Sequence, residues 1–553
     1  MSVPSYQCDL TSNWSPISEH GEASTPSSAL GHGEEKYPSD PDFLKDVSLV
    51  VIGDLEPVES QCPPEISTFK TISIIVVCLL GYILCISVNS IFAKYYHKIR
   101  RAHIEVAISI IVDARHADVQ WISSTFKLGY CSFLLLTGRL ADTYGHKFCL
   151  LIGLFLFGAS SLGCAAARDL YLIAIFRGIQ GVGSAAISPS LLGILSTSFA
   201  VGTHARSEAF ATFSTGSPFG TALGLFCGGF VTHDAWLGWR KFFYAAFSLT
   251  VIISILSYLV LPPDLPRVVG KDRKQFDWFG GGMVAIGLLT LVSSISSLMH
   301  HGWTTNTLLA PLLISIFLLC GFILWQLHLE RNGFQDPIVR ISYLTNYSVG
   351  PVNIIAGLLW VAYADQNYFL NQYFQDYLHL SLQDTLIRFL PMLAVAIILC
   401  LITGRAAHRW SSPLLIVIGS IMATISCLLT CLLQPNASYW TFNFLSITLS
   451  IIASDFVFTV GSMYALQMSK ESDQASAGAL FLTFTQLTCV MGLALATLVQ
   501  VKVTSDASEH MHVDVDFHED MAEVPREAEL EGLKAASWTC FASVLLGQSN
   551  SSN

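Results

Sequence analysis

Apolar residues run along this chain in blocks long enough to cross a lipid bilayer, and polar residues collect in the short stretches between them. The blocks fall at 72–93, 122–140, 148–167, 170–199, 208–232, 242–262, 277–299, 308–328, 349–370, 384–403, 413–433, 440–468 and 475–499. Each approaches or exceeds the roughly 20 apolar residues an α-helix needs to span hydrocarbon. The pattern therefore predicts thirteen membrane-spanning helices. A fourteenth block, 535–547, falls short of the roughly 17 residues that set the lower limit, and reads as the remnant of a span or a truncated one.

Composition agrees with this reading. Of 553 residues, 52% are hydrophobic and only 12% charged, about half the charged fraction usual for soluble domains. The fold class expected is an all-α polytopic membrane protein embedded in the lipid bilayer. The net charge of −11 sits largely in two polar segments outside the blocks, so it signals no partner, and nucleic-acid binding has no support. Most of the fourteen cysteines lie scattered in apolar runs, for example Cys78, Cys131, Cys164, Cys227, Cys400 and Cys489, and read as small buried apolar residues rather than metal ligands. No metal or cofactor is expected. No phosphate-cradling G-x-x-x-x-G-K-[ST] loop is present, and no nucleophile, base and orienting acid recur in a recognisable frame, so the chain is not read as an enzyme.

Residues 1–70 form a Ser, Pro, Glu and Asp-rich tail without apolar period, expected to be disordered and cytoplasmic. If the N-terminus is inside, the inner loops collect Arg139, Lys147, Arg206, Arg267, Lys271, Arg273, Lys274, Arg331, Arg340, Arg405, Arg409 and Lys470, as the positive-inside rule requires. The basic stretch 94–105 breaks the rule and reads as a local insertion. The segment 502–534 is read as an acidic, solvated outer loop, and its His510, His512 and His518 have no spacing that defines a metal site. Asn436 opens a sequon in an outer loop, whereas those at Asn13 and Asn346 would face the cytoplasm.

Between the second and third blocks lies 137-TGRLADTYGHK-147. Gly138 and Gly145 permit a tight reversal, while Arg139, Asp142 and Lys147 can pair with helix ends or with one another. This string resembles the signature of the major facilitator superfamily. Thr403-Gly404-Arg405-Ala406-Ala407 echoes its opening, which implies two six-helix repeats with a site between them. The resemblance, over roughly residues 70–500, is to the fungal fourteen-helix drug:proton antiporters that include aminotriazole and boron exporters. It implies bundles at 71–263 and 341–553 and two extra helices within 264–340.

Two further strings match that family. In 177-RGIQGVGSA-185, Arg177 lies inside a span, where even mild scales charge roughly 2.5–3.5 kcal/mol at the centre; it must meet a polar interior or partner, and the family pattern implies a part in proton coupling. The bland reading is an arginine that only pins helices together. In 216-GSPFGTALGLFCGGF-230, Gly216, Gly220, Gly224 and Gly228 recur every fourth residue with Gly229 adjoining, a smooth face for a neighbouring helix. This resembles the antiporter motif, but Leu225 stands where the family usually has proline.

Other intramembrane polar groups are candidates on their own chemistry. Asp365 and Asp455 are buried carboxyls able to cycle between protonated and ionised forms as access alternates. Lys127, Gln180, Trp360, Tyr363, Gln366 and Asn371 are candidate cavity residues, the last four from an aromatic and amide-rich stretch at 360–375. Arg388 is expected near the outer surface. The function expected is a proton-coupled exporter of small organic compounds working by alternating access, with the turn around Asp142 as latch. An importer or uniporter, and a non-transporting sensor with the same fold, are the alternatives. A monomer in the plasma membrane is expected, the vacuolar membrane being the other location.

Overall fold

In a computed structural model of the protein, residues 67–101, 116–231, 240–264, 275–301, 306–333, 335–344, 349–435, 437–511 and 525–551 are described. Fourteen long helices occur among them: α1 Thr68–Arg101, α2 His116–Tyr144, α3 His146–Ala166, α4 Leu170–Ser198, α5 His204–Val231, α6 Arg240–Val260, α7 Trp278–His301, α8 Asn306–Asn332, α9 Val349–Gln372, α10 Leu382–Arg409, α11 Ser412–Cys431, α12 Asn443–Gln467, α13 Gln474–His510 and α14 Arg526–Ser551. Two short strands, β1 (Gln275–Phe276) and β2 (Gln335–Asp336), pair in parallel at the foot of the α7–α8 hairpin. The tail and the stretch 102–115 lie outside the described residues, as do Asn13, Asn346, Asn436, His512 and His518.

Within the first six helices, α4 packs on α2 and α3, α1 on α5, and α6 on α1 and α3; within the last six, α11 packs on α12 and α14, and α9 on α12, α13 and α14. The two sets meet along α2 against α13 and α5 against α10. Helices α7 and α8 pair with each other, and α7 rests on α2 and α13. Ten helices are long and apolar enough to cross a membrane. Of the apolar windows in α6, α8 and α10, only 28%, 22% and 28% is buried in protein. The remainder is the apolar surface that lipid must cover, with helical backbone groups already satisfied inside each helix.

Helices α2, α5, α9 and α14 fall outside those ten, and the first three for one reason. Lys127, Arg139 and Asp142, or Ser214 and Thr215, or Asp365 and Gln366 interrupt their apolar runs, and a polar group in a span is tolerated where protein surrounds it. The end of the chain corrects the expectation for 535–547: α14 is a 26-residue helix, far longer than that block. Ala528, Ala536, Cys540 and Val544 are buried, and a Cβ on Gly532 would lie 2.0 Å from the Thr504 Oγ1. This stripe of small residues at four-residue spacing seats α14 on its neighbours, and its low hydropathy hid the helix. The loop expected at 502–534 shrinks for the same reason, because Lys502–His510 continues α13 and Arg526–Lys534 opens α14. The basic residues from Lys94 to Arg101 likewise continue α1.

Candidate functional site: a sealed interface between two helix bundles

The turn at 137–147 makes its contacts with helix ends, the first of the two options its charges offered. Asp142, 2% exposed, accepts the backbone N–H of Ala475 at 2.9 Å and of Ser476 at 2.7 Å, together with the Ser476 hydroxyl. A carboxylate of α2 thus satisfies the free donors and positive dipole end of α13. Gly138 makes the approach possible, since a Cβ there would fall 2.3 Å from the Ala479 Cβ. Arg139 reaches Asp473, just before α13, with 2.8 Å between Nη1 and Oδ1. On the other flank, Asp264 accepts from Lys147 N and Phe148 N at the start of α3, and the Lys147 ammonium donates to the Tyr258 and Leu261 carbonyls at the end of α6. Gly145 joins the two flanks at φ 111°, a conformation that suits glycine.

The second interbundle contact is built around Asp455 of α12. It accepts hydroxyls from Ser214 and Thr215 of α5 and, at 2.5 Å, from Thr403 of α10; Thr459 bonds Ser214 in turn. Thr403 opens the echo sequence, and its neighbour Gly404 lets Glu208 of α5 come close, with 3.0 Å from a built Cβ to the Glu208 Cα. His408, in the position equivalent to Asp142, stacks edge-on with His204 at 5.1 Å. The echo therefore meets α5 at the seam by the close packing of Gly404 and the His408 ring, while its Thr403 hydroxyl holds Asp455 within the second bundle.

Between these contacts the centre is filled by aromatic rings from both bundles. Tyr82 stacks on Phe213 at 4.3 Å, and Phe458 gathers Tyr82, Phe213, Trp360 and Phe481 within 6.4 Å. Trp360 and Tyr363 touch at 5.4 Å. Lys127, half-buried, acts electrostatically on Asp365, whose Oδ1 has no hydrogen-bond partner among the described residues. The Cys540 thiol stands 4.0 Å from the other carboxylate oxygen.

Arg177 is fully buried but not beside the carboxylates. Its guanidinium donates to the Ile122 and Val88 carbonyls and, at 2.7 Å, to Gln180, and lies 4.5 Å above the Phe126 ring. Gln180 passes the chain on to Ser161 of α3. Arg177 contacts neither Asp365 nor Asp455, so the three residues grouped by sequence for proton coupling occupy separate places. The polar wall expected for a cavity also divides. Trp360 and Tyr363 face the centre, whereas Gln366 is held by Ser426 of α11 and Ser446 of α12, and Asn371 by Gln375. Gln180, wholly buried inside the first bundle, joins neither group.

Along α5, built Cβ atoms on Gly216, Gly220 and Gly224 would meet Tyr82, Ile86 and, at 2.4 Å, the Ser87 carbonyl, so the stripe receives α1. The surroundings of Gly228 and Gly229 lie outside the described residues, although both belong to α5. Arg388 spreads over Phe374 and Tyr439 outside the seam. Residues that sequence reading passed over are Asp264, Asp473, Ser214 and Thr215. Nothing marks them along the chain, because their partners are distant in sequence; only Thr403 stood in a noticed string.

Comparison with known proteins places these features. The family model described as Major Facilitator Superfamily matches residues 71–493. The chain is 25% identical over 468 residues to MFS-type transporter 1 of Pyricularia oryzae, covering 77% of this chain and 75% of that protein. It is 23% identical over 432 residues to the aminotriazole resistance protein of Saccharomyces cerevisiae, covering 77% and 76%. Among solved structures, the human organic anion transporter MFSD10 (TETRAN) superposes with a TM-score of 0.57 at 14% identity, over 87% of this chain and 99% of that one.

Proposed function

We propose, taking as premise that the chain belongs to the major facilitator superfamily and is a multi-pass secondary transporter of that fold, that it exports small organic compounds in exchange for protons. The finer family assigned is the fungal fourteen-helix drug:proton antiporters, and the membrane is the plasma membrane. The fourteen long helices among the described residues and the resistance function in the yeast relative's name support that assignment. The bundles at 71–263 and 341–553 are the two bodies that rock.

The observation that carries the reading is Asp455. A buried carboxylate that accepts hydroxyls from Ser214 and Thr215 in one bundle and Thr403 in the other holds the seam while ionised. A protonated carboxyl accepts less and donates one bond of its own, so a proton arriving at Asp455 loosens α5 from α10 and α12. Asp365, with an oxygen left unbonded and Lys127 in range across the interface, is the second carboxyl of the pathway and the polar side of the substrate region, opposite Trp360 and Tyr363. Arg177 braces the first bundle. With Asp142 and Arg139 engaged, the face bearing the basic short loops is shut.

Reconstituted vesicles test the proposal. An imposed proton gradient should drive a labelled toxicant against its concentration, and collapsing that gradient should abolish the movement. Accumulation that ignores the proton gradient would refute proton exchange, and uptake in the opposite sense would establish an importer.

A further inference from the structure

We propose that the two-helix insert is part of the inner gate, and that Asp336 and Arg340, on the segment leaving it, are gate residues. This rests on the alternating-access reading above and on no assumption about the substrate. The segment is bolted to the insert. Ile338 N and Val339 N donate to Gln326 Oε1, while Gln326 Nε2 donates to Asp277 Oδ2 at 2.8 Å. Asp277, 1% exposed, also receives the Trp325 indole and Gly280 N, and β2 pairs with β1 beside it.

From that platform two charges reach the seam. The Asp336 carboxylate lies 3.5 Å from Arg139 Nη2, and Arg340 Nε lies 3.0 Å from Asp473 Oδ2. With the 2.8 Å contact between Arg139 and Asp473, the charges alternate in one line: Asp336, Arg139, Asp473, Arg340. Arg139 belongs to the first bundle and Asp473 to the second, and both are nearly buried, at 8% and 4% side-chain exposure. Each therefore needs a counter-charge wherever it sits. The insert supplies one to each, and Arg340 is a second cation beside the carboxylate that Arg139 holds. The insert in this way adds a third body to a closure that the two bundles make through Asp142 and the Arg139–Asp473 pair, and removing its charges should loosen the inner face while leaving both bundles intact.

The test uses the full chain in liposomes with fluorescent noncanonical residues at Tyr144 and Met468, which are 47% exposed on either side of the inner seam. Arg340→Gln and Asp336→Asn should each raise the ratio of open to closed inner faces by about two- to fivefold, the effect of one partly exposed ion pair, and Arg340→Lys should restore most of the closed population. Asp142→Asn checks the assay. A shift from Asp142→Asn with none from Arg340→Gln or Asp336→Asn overturns the proposal and leaves alternating access standing. No shift from any of the three overturns both. Arg139 and Asp473 still hold each other at 2.8 Å in either variant, so neither replacement leaves an unpaired charge in a sealed core.

Discussion

Asp142 accepts the backbone N–H of Ser476 at 2.7 Å, so a side chain of the first bundle caps a helix of the second. On the alternating-access reading, this bond has to break when the inner face opens. Asp142→Ala should orphan two helix-end donors and weaken that state by about 2 kcal/mol. The expected result is transport reduced by roughly tenfold or more with normal surface expression; full transport in a well-expressed variant would remove Asp142 from the latch.

Gly138 tests the same seam by bulk rather than charge. Its replacement by Ala forces a Cβ against Ala479, and the partner Ala479→Gly removes that atom. The single variant should populate the open inner face, read from fluorescent labels across the seam, and the double variant should recover part of the closed population. No recovery would show that the Ala475 carbonyl, 2.9 Å from the same built atom, is the contact that matters.

Packing of α5 on α1 makes a different prediction. Gly224→Val would press side-chain atoms into the Ser87 backbone, which has no rotamer to move aside. A cost of about 1–3 kcal/mol is expected for overpacking of this kind, and a lower Tm in detergent measures it. An unchanged Tm would mean that α1 and α5 separate freely at this height.

Asp455→Asn keeps the size and most of the acceptor geometry but removes the ionisation. Exchange of labelled substrate down its gradient should persist, while accumulation driven by an imposed proton gradient is lost. Ser214→Ala should weaken both modestly. Intact proton-driven accumulation in Asp455→Asn would take this residue out of the coupling path.

Arg177→Lys separates bracing from coupling. A lysine cannot reach the Ile122 and Val88 carbonyls and Gln180 together, because it lacks the planar fork. The variant should unfold several degrees lower, with the pH dependence of transport unaltered. A shifted pH profile at unchanged Tm would instead assign Arg177 a direct part in proton movement.

Much of the architecture was legible from hydropathy and three strings of residues. The apolar blocks marked where long helices form, and ten of these are apolar enough among the described residues to cross a membrane, since lipid demands apolar length. The full length of α14 was not visible in them, because the helix is seated by small buried residues, Ala528, Ala536 and Cys540, and by the close approach of Thr504 to Gly532, which add little hydropathy. At the interface, Arg139 and Asp142 were recognisable while Asp473 was not, for an acid outside the apolar blocks is unremarkable until a buried arginine is found beside it.

The linear order of residues determined by itself that this protein lives in a membrane, that its spans carry a few expensive polar groups, and which family of folds accommodates them. Those properties depend on solvent transfer and on local spacing, which are readable one residue at a time. Tertiary structure alone decided that Arg177 stands apart from both aspartates, that Gln366 turns into its own bundle, and that Asp455 joins three helices. A buried polar group must find a partner, but its chemistry does not name which of many distant candidates packing will bring within 3 Å.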